Sequence, residues 1–352
     1  MGEVAEGDPG DLAVLAMIPE SVWRAVESLH GRPWPPRDPD AFIAAATGES
    51  LLPLLFRESI VADALPRHRA LLRLYEARAA KLRAAARLIC TILRDDVPFI
   101  VMKGADYGDR LYGDPTLRPM LDVDILVPPE RMKDADAVLT RNGFEVTFAG
   151  GAVTRLASYN ERSYVGHDVG VDVHHSFIQR VRHRIDYDAI WREREPYTLD
   201  GVEAWRLAPL HAFLYHAVAM AKDEFTSPLI RYVDMYLMLQ RWPSLPREAA
   251  PLAREWEVVR ALYGTLRQTS RLFTDLDLEQ VMSSLLPRSK REFFDRVILT
   301  NVYSVPPRRT RQHQLRVKFH LLDNATRRVT FAAYYAWAML VTLFFARATT
   351  DT

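Results

Sequence analysis

VPFIVMKGADYGDRLYGDPTLRPMLDVDILV, residues 97–127, is the stretch on which the reading of the whole chain turns. Pro98 to Met102 is a short apolar run of the kind a buried strand shows, and it ends in Lys103-Gly104. ADYGDRLYG then fits a helix closed by Gly113. Asp122-Val123-Asp124 opens a second apolar run, Ile125 to Val127, which Pro128-Pro129 stops. Carboxylates at i and i+2 on a strand point to one side of the sheet, while Val123 points to the other. Two such carboxylates repel each other, and a divalent cation is the usual means of holding them together. Oxygen donors alone favour Mg²⁺ or Mn²⁺ over Zn²⁺.

Working outward, PPERMKDADAVLTRNG reads as a helix with Pro at its start and Asn142-Gly143 at its end. Phe144 to Phe148 is a third strand candidate. SYNERSYVG and VGVDVHHSF are two more, separated by a turn at His167-Asp168. Asp172 alternates with Val171 and Val173, and His174 shares its face. A third acid beside Asp122 and Asp124 completes a carboxylate triad able to hold metal and take a proton from an attacking group. An isolated Asp172 would read instead as a satisfied polar residue on an exposed strand.

These residues resemble the nucleotidyltransferase superfamily shared by polymerase β and the aminoglycoside nucleotidyltransferases. Within it, the sequence is most similar to an uncharacterised nucleotidyltransferase family with a Lys-Gly signature. The resemblance rests on Val101-Met102-Lys103-Gly104, Leu111-Tyr112-Gly113-Asp114, Arg118-Pro119-Met120, Asp122 to Val127 and Val171-Asp172-Val173-His174. It covers about residues 90–180. It implies an α+β fold with a small mixed-sheet core, flanked by N-terminal and C-terminal helical regions. It also implies Mg²⁺ (or Mn²⁺) on Asp122, Asp124 and Asp172, with a nucleoside triphosphate (NTP) as substrate. An acceptor oxygen would attack the α-phosphate, and pyrophosphate would leave.

One departure stands out: the superfamily's Gly-Ser pair is Lys103-Gly104 here, so no serine hydroxyl follows the glycine. The Lys103 ammonium, helped by backbone N–H groups at the following helix start near Gly104, is the physical substitute for holding phosphate. Arg118 is a second phosphate candidate, weighed equally against a structural arginine bonded to loop carbonyls. His174 is placed to contact nucleotide or acceptor.

Around that core, residues 1–95 read as a helical region, 96–200 as the core and 201–352 as a second helical region. LPRHRALLRLYEARAAKLRAAARLICTIL carries an apolar stripe at helical spacing: Leu71, Leu72, Leu74, Tyr75 and Leu82, then Leu88, Ile89, Ile92 and Leu93. HGRPWPPRDPD, with four prolines, is a loop. SVPPRRTRQHQLRVKF, residues 304–319, reads as a basic loop. Asp234 is a lone acid on an apolar helix, and a buried acid needs a partner. His211 and His216 are five apart, a poor spacing for one helical face, and read as structural or as cleft wall.

Composition narrows the function classes. A formal net charge of +1 gives no argument for bulk nucleic-acid binding, and no DNA partner is expected. The single cysteine, Cys90, excludes an internal disulfide and a multi-cysteine zinc site. The first residues are acidic where a secretory signal is basic, so a cytoplasmic location is expected. VTFAAYYAWAMLVTLFFA, 329–346, carries no charge and is near the lower length for a membrane span. A buried or dimer-forming helix is preferred, with a membrane-surface helix as the alternative. P-loop and nucleophile-elbow signatures are absent. The acceptor has no code here: small molecule, peptide, protein side chain and RNA end all stay open. The reading from a different class is a non-catalytic protein that keeps the fold and binds nucleotide or a partner.

Overall fold

The computed structural model describes residues 19–147, 160–299 and 311–348. The acidic N-terminus, residues 1–18, lies outside them, as do Phe148 and residues 304–310 of the basic stretch.

Seven strands form one mixed sheet: β1 (Ile100–Val101), β2 (Val123–Leu126), β3 (Glu145–Val146), β4 (Glu161–Gly166), β5 (Val169–His174), β6 (Glu195–Leu199) and β7 (Val202–Arg206). Their spatial order is β3-β4-β5-β2-β1-β7-β6. Strands β2 and β5 run parallel in the centre, and the register sets Asp124 beside Asp172. Strand β1 pairs antiparallel with β2 and parallel with β7.

Alternation along the central strands divides the fold. Val123, Ile125, Val171 and Val173 face one core, which also takes Leu82, Ala86, Ile89 and Leu93 of the helix Leu65–Leu93 and Val138 and Leu139 of Met132–Arg141. Cys90 is part of that core, and burial pushes its thiol up to about 12, which leaves it unreactive near neutral pH. Ile100, Met102 and Leu126 face the opposite core, where the N-terminal helices Glu20–His30 and Pro39–Gly48 pack with Pro209–Lys222, Leu229–Arg241 and Val259–Leu272. The helices on either side of the sheet in sequence therefore share one apolar interior.

Three local readings change. The strand read as Pro98 to Met102 is shortened to Ile100–Val101, because Lys103 turns the backbone into the left-handed region at φ 47° and starts the next helix. That helix, Lys103–Tyr112, ends as expected on Gly113, whose φ of 66° favours glycine. The sheet runs past residue 200: Asp200-Gly201 closes a β6–β7 hairpin, an Asp-Gly turn signal in the sequence. Residues 311–319 of the stretch read as loop lie in the helix Arg311–His320.

The charge-free stretch lies in the helix Ala325–Ala348. No helix among the described residues is long and apolar enough to cross a membrane. Phe331 is buried, and Val329, Trp337 and Leu340 are exposed.

Candidate functional site

The face of β2 and β5 opposite the valines opens into a cleft of about 340 Å³. Lys103, Gly104, Arg118, Asp122, Asp124, Asp172 and His174 all line it. The sequence-predicted residues thus lie on one cavity, although they play unequal parts.

Asp124 is buried in it, 4% exposed. His174 Nε2 donates to its Oδ1 at 2.8 Å, and the Lys103 ammonium donates to the same oxygen. Burial works to raise this carboxyl, yet the Lys103 charge and the His174 hydrogen bond outweigh it and hold Asp124 well below the usual range. The converse holds for Lys103: burial opposes its charge, Asp124 outweighs burial, and its pKa is raised. Asp124, Asp172 and His174 each offer one ligand atom within 4.8 Å of the others.

Asp122 stands just before β2 and outside that compact trio, on the wall of the same cleft. Burial first, then the charge of Asp124, pushes its carboxyl up to about 6. The two oxygen donors of the trio with Asp122 beside them suit a divalent cation such as Mg²⁺ or Mn²⁺. His174 offers a nitrogen, but it is already spent as donor to Asp124, and its pKa is raised because the bonds to Asp124 and Glu161 outweigh burial. It therefore fits as a residue that orients a ligand carboxylate.

Arg118 lines the cleft and carries the bonds of the structural alternative. Its Nη2 donates to Asp234 Oδ2 at 2.7 Å and its Nε to Oδ1 at 3.3 Å. Tyr112 also donates to Asp234, at 2.8 Å. The guanidinium is thus held by the acid that the sequence left without a partner, and Nη1 donates to the Pro119 carbonyl at 3.1 Å. Arg118 anchors the turn before Asp122.

Gly104 serves close packing. A Cβ there would lie 2.4 Å from Met120 Cγ and 3.1 Å from Arg118 Nη1. Gly104→Ala is expected to push the 118–120 turn outward and cost about 1–3 kcal/mol. Trimming the opposing side chain in Gly104→Ala/Met120→Ala should recover part of the loss in a urea melt; equal melts for Gly104→Ala and wild type would remove this role.

Several residues of the cleft were not singled out from sequence. Glu161 pairs with His174 across the β4–β5 hairpin, its Oε2 lying 3.1 Å from Nδ1. Lys222 donates to Glu161 at 3.1 Å. Burial would raise the Glu161 carboxyl, but the His174 hydrogen bond leads the influences that hold it low instead. Counting pairs outward from the His167-Asp168 turn sets Glu161 opposite His174, so that signal was present in the sequence. Lys222, Tyr215 and Arg231 come from helices distant in sequence, and no local pattern marks them. Arg231 donates to Asp223 and, at 2.9 Å, to Ser227. His211 and His216 are structural: the first stacks on Trp256 at 5.4 Å, and the second lies 2.8 Å from the Arg231 carbonyl.

A family model described as uncharacterised nucleotidyltransferase matches residues 35–274. The chain belongs to that family. No curated protein matches it. Among solved structures, the chain is similar to the antibiotic-resistance factor ANT(2'')-Ia, at 13% identity over 54% of this chain and 95% of that one, with a TM-score of 0.34. It is similar to an antigenic nucleotidyltransferase-like protein from Paracoccidioides brasiliensis at 16% identity, over 58% and 93% of the two chains, with a TM-score of 0.36. The Megavirus polyadenylate synthase is 14% identical over 52% of this chain and 37% of that one, with a TM-score of 0.32.

Proposed function

We propose that this chain transfers a nucleoside monophosphate from an NTP to an acceptor hydroxyl, with release of pyrophosphate. The observation that carries the reading is the Asp124–Asp172 register at the floor of a cleft whose walls supply Lys103, Lys222 and Arg231.

Asp122, Asp124 and Asp172 would hold the divalent cation. When bound, it offsets the charge developing on the entering and leaving oxygens. His174, steadied by Glu161, keeps Asp124 turned toward the site. The acceptor oxygen forms a bond to the α-phosphorus as the bond from that phosphorus to the bridging oxygen of pyrophosphate breaks. The hydroxyl proton passes to Asp172. Lys103, released from Asp124, and the cations Lys222 and Arg231 take the phosphate oxygens, each exchanging a carboxylate partner for a phosphate one.

Calorimetry with each of the four NTPs and Mn²⁺, on wild type and on Asp172→Asn, tests this reading. Binding of a nucleotide that the variant loses supports it, and equal binding by both proteins overturns it. Glu161→Gln tests the orienting role: Mn²⁺ affinity and turnover should fall about 10- to 100-fold. Unchanged values would remove Glu161 from the site.

A second reading keeps the fold as a non-catalytic binder. What favours it is that Asp124 is already neutralised by Lys103 and His174. Nucleotide binding without turnover on any acceptor would select it.

A further inference from the structure

The helix Leu65–Leu93 leaves part of its apolar stripe uncovered. Leu74 is 64% exposed, and Leu71 and Tyr75 are half-buried, whereas Leu82, Ile89 and Leu93 further along are buried. Opposite them, in the turn before Asp122, Leu121 is 74% exposed. Between the two lies a groove of about 320 Å³ with Met120 at its base. It shares Ser50 and residues 119–121 with the carboxylate cleft, so the two spaces adjoin across that turn.

The groove's chemistry is unlike that of the cleft. Its sides are mainly aliphatic and aromatic, with one charged residue, Arg78. Arg78 is exposed, and no ion-pair partner holds it among the described residues. Each cleft cation named above is instead held by a carboxylate. A polyanion such as an RNA end needs several cations along its path, and this groove offers one.

We propose that the groove is the acceptor subsite, and that its occupant is a small amphipathic molecule: an apolar body along Leu71, Leu74 and Leu121, one carboxylate at Arg78, and a hydroxyl that reaches past Leu121 to the carboxylates. This deepens the nucleotidyl-transfer reading and rests on it for the cleft's role, but the groove's binding is measured separately. A body of this kind gains affinity by burying methylenes, and one charge matches one charge.

The test titrates ω-hydroxyalkanoates of six to twelve carbons into the full chain in the presence of Mn²⁺ and an NTP analogue blocked at the α–β bridge. Wild-type affinity should rise about tenfold for every two carbons until the groove is filled. Leu74→Asp and Arg78→Glu, both at exposed positions, should each weaken the ten-carbon ligand at least about tenfold, given that length dependence. Both should leave nucleotide affinity, read in the same calorimeter, at the wild-type value. Affinity that ignores chain length, or is equal in wild type and variants, overturns the proposal, as does turnover on an RNA oligonucleotide that survives both substitutions. Loss of nucleotide binding in wild type itself would instead overturn the nucleotidyl-transfer reading.

Discussion

Asp124→Asn should lower turnover by at least about a thousandfold, since the loss of several kcal/mol of charge stabilisation in the transition state converts to that factor. The fold should survive. Asparagine keeps an oxygen to accept from His174 Nε2, and the Lys103 side chain, 31% exposed, can turn toward water. Lys103→Met gives the contrasting result. In this structure the ammonium sits on the carboxylate proposed to hold the cation. Removing it should tighten Mn²⁺ binding in the absence of nucleotide and weaken NTP binding, because the competitor and the phosphate partner are the same group. Loss of the Mn²⁺ affinity in Lys103→Met, or full turnover in Asp124→Asn, would show that the two residues do not share the exchange described.

The second large effect is on stability. Asp234 is fully buried, and its carboxylate takes both the Arg118 fork and the Tyr112 hydroxyl. Asp234→Ala leaves a buried guanidinium without its counter-charge, a loss of about 3–5 kcal/mol. For a chain of this size that corresponds to a fall in melting temperature of about 4–7 °C. Arg118→Met/Asp234→Leu removes both charges and should melt above either single variant, because the cost lies in the orphaned partner. Additive losses in the double variant would mean that the two residues act separately. If Arg118 contacted phosphate alone, Arg118→Met would weaken nucleotide binding and leave the melt unchanged.

The central strand was legible because alternation is local. Asp122-Val123-Asp124 followed by Ile125-Leu126 states which side is buried, and the structure has Val123 and Ile125 in the core with Asp124 on the opposite face. That Asp124 and Asp172 would be neighbours depends on the sheet order β5-β2, which no local pattern encodes; the sequence resemblance supplied it. The nucleotidyltransferase family itself was legible from residues 101–127 together with 171–174.

What was missed is non-local. Lys222 and Arg231 reach the cleft only because helices Pro209–Lys222 and Leu229–Arg241 pack over the carboxylate face of the sheet. Asp234 was recognised as an acid in need of a partner, yet Arg118 lies 116 positions away. The β6–β7 hairpin has a local signal in Asp200-Gly201, but the helical run that follows dominates the pattern there. Leu74 shows the reverse failure: helical spacing assigned it to a packed stripe, but it is exposed among the described residues.

The most direct test of the central claim is a crystal structure of the full chain with Mn²⁺ and an NTP analogue blocked at the α–β bridge, read through the manganese anomalous signal. Density for the ion is expected between Asp124 and Asp172 with Asp122 beside it, and the Lys103 ammonium moved from Asp124 to a phosphate oxygen. Nucleotide bound with no ion at those carboxylates, and Lys103 still on Asp124, would contradict it.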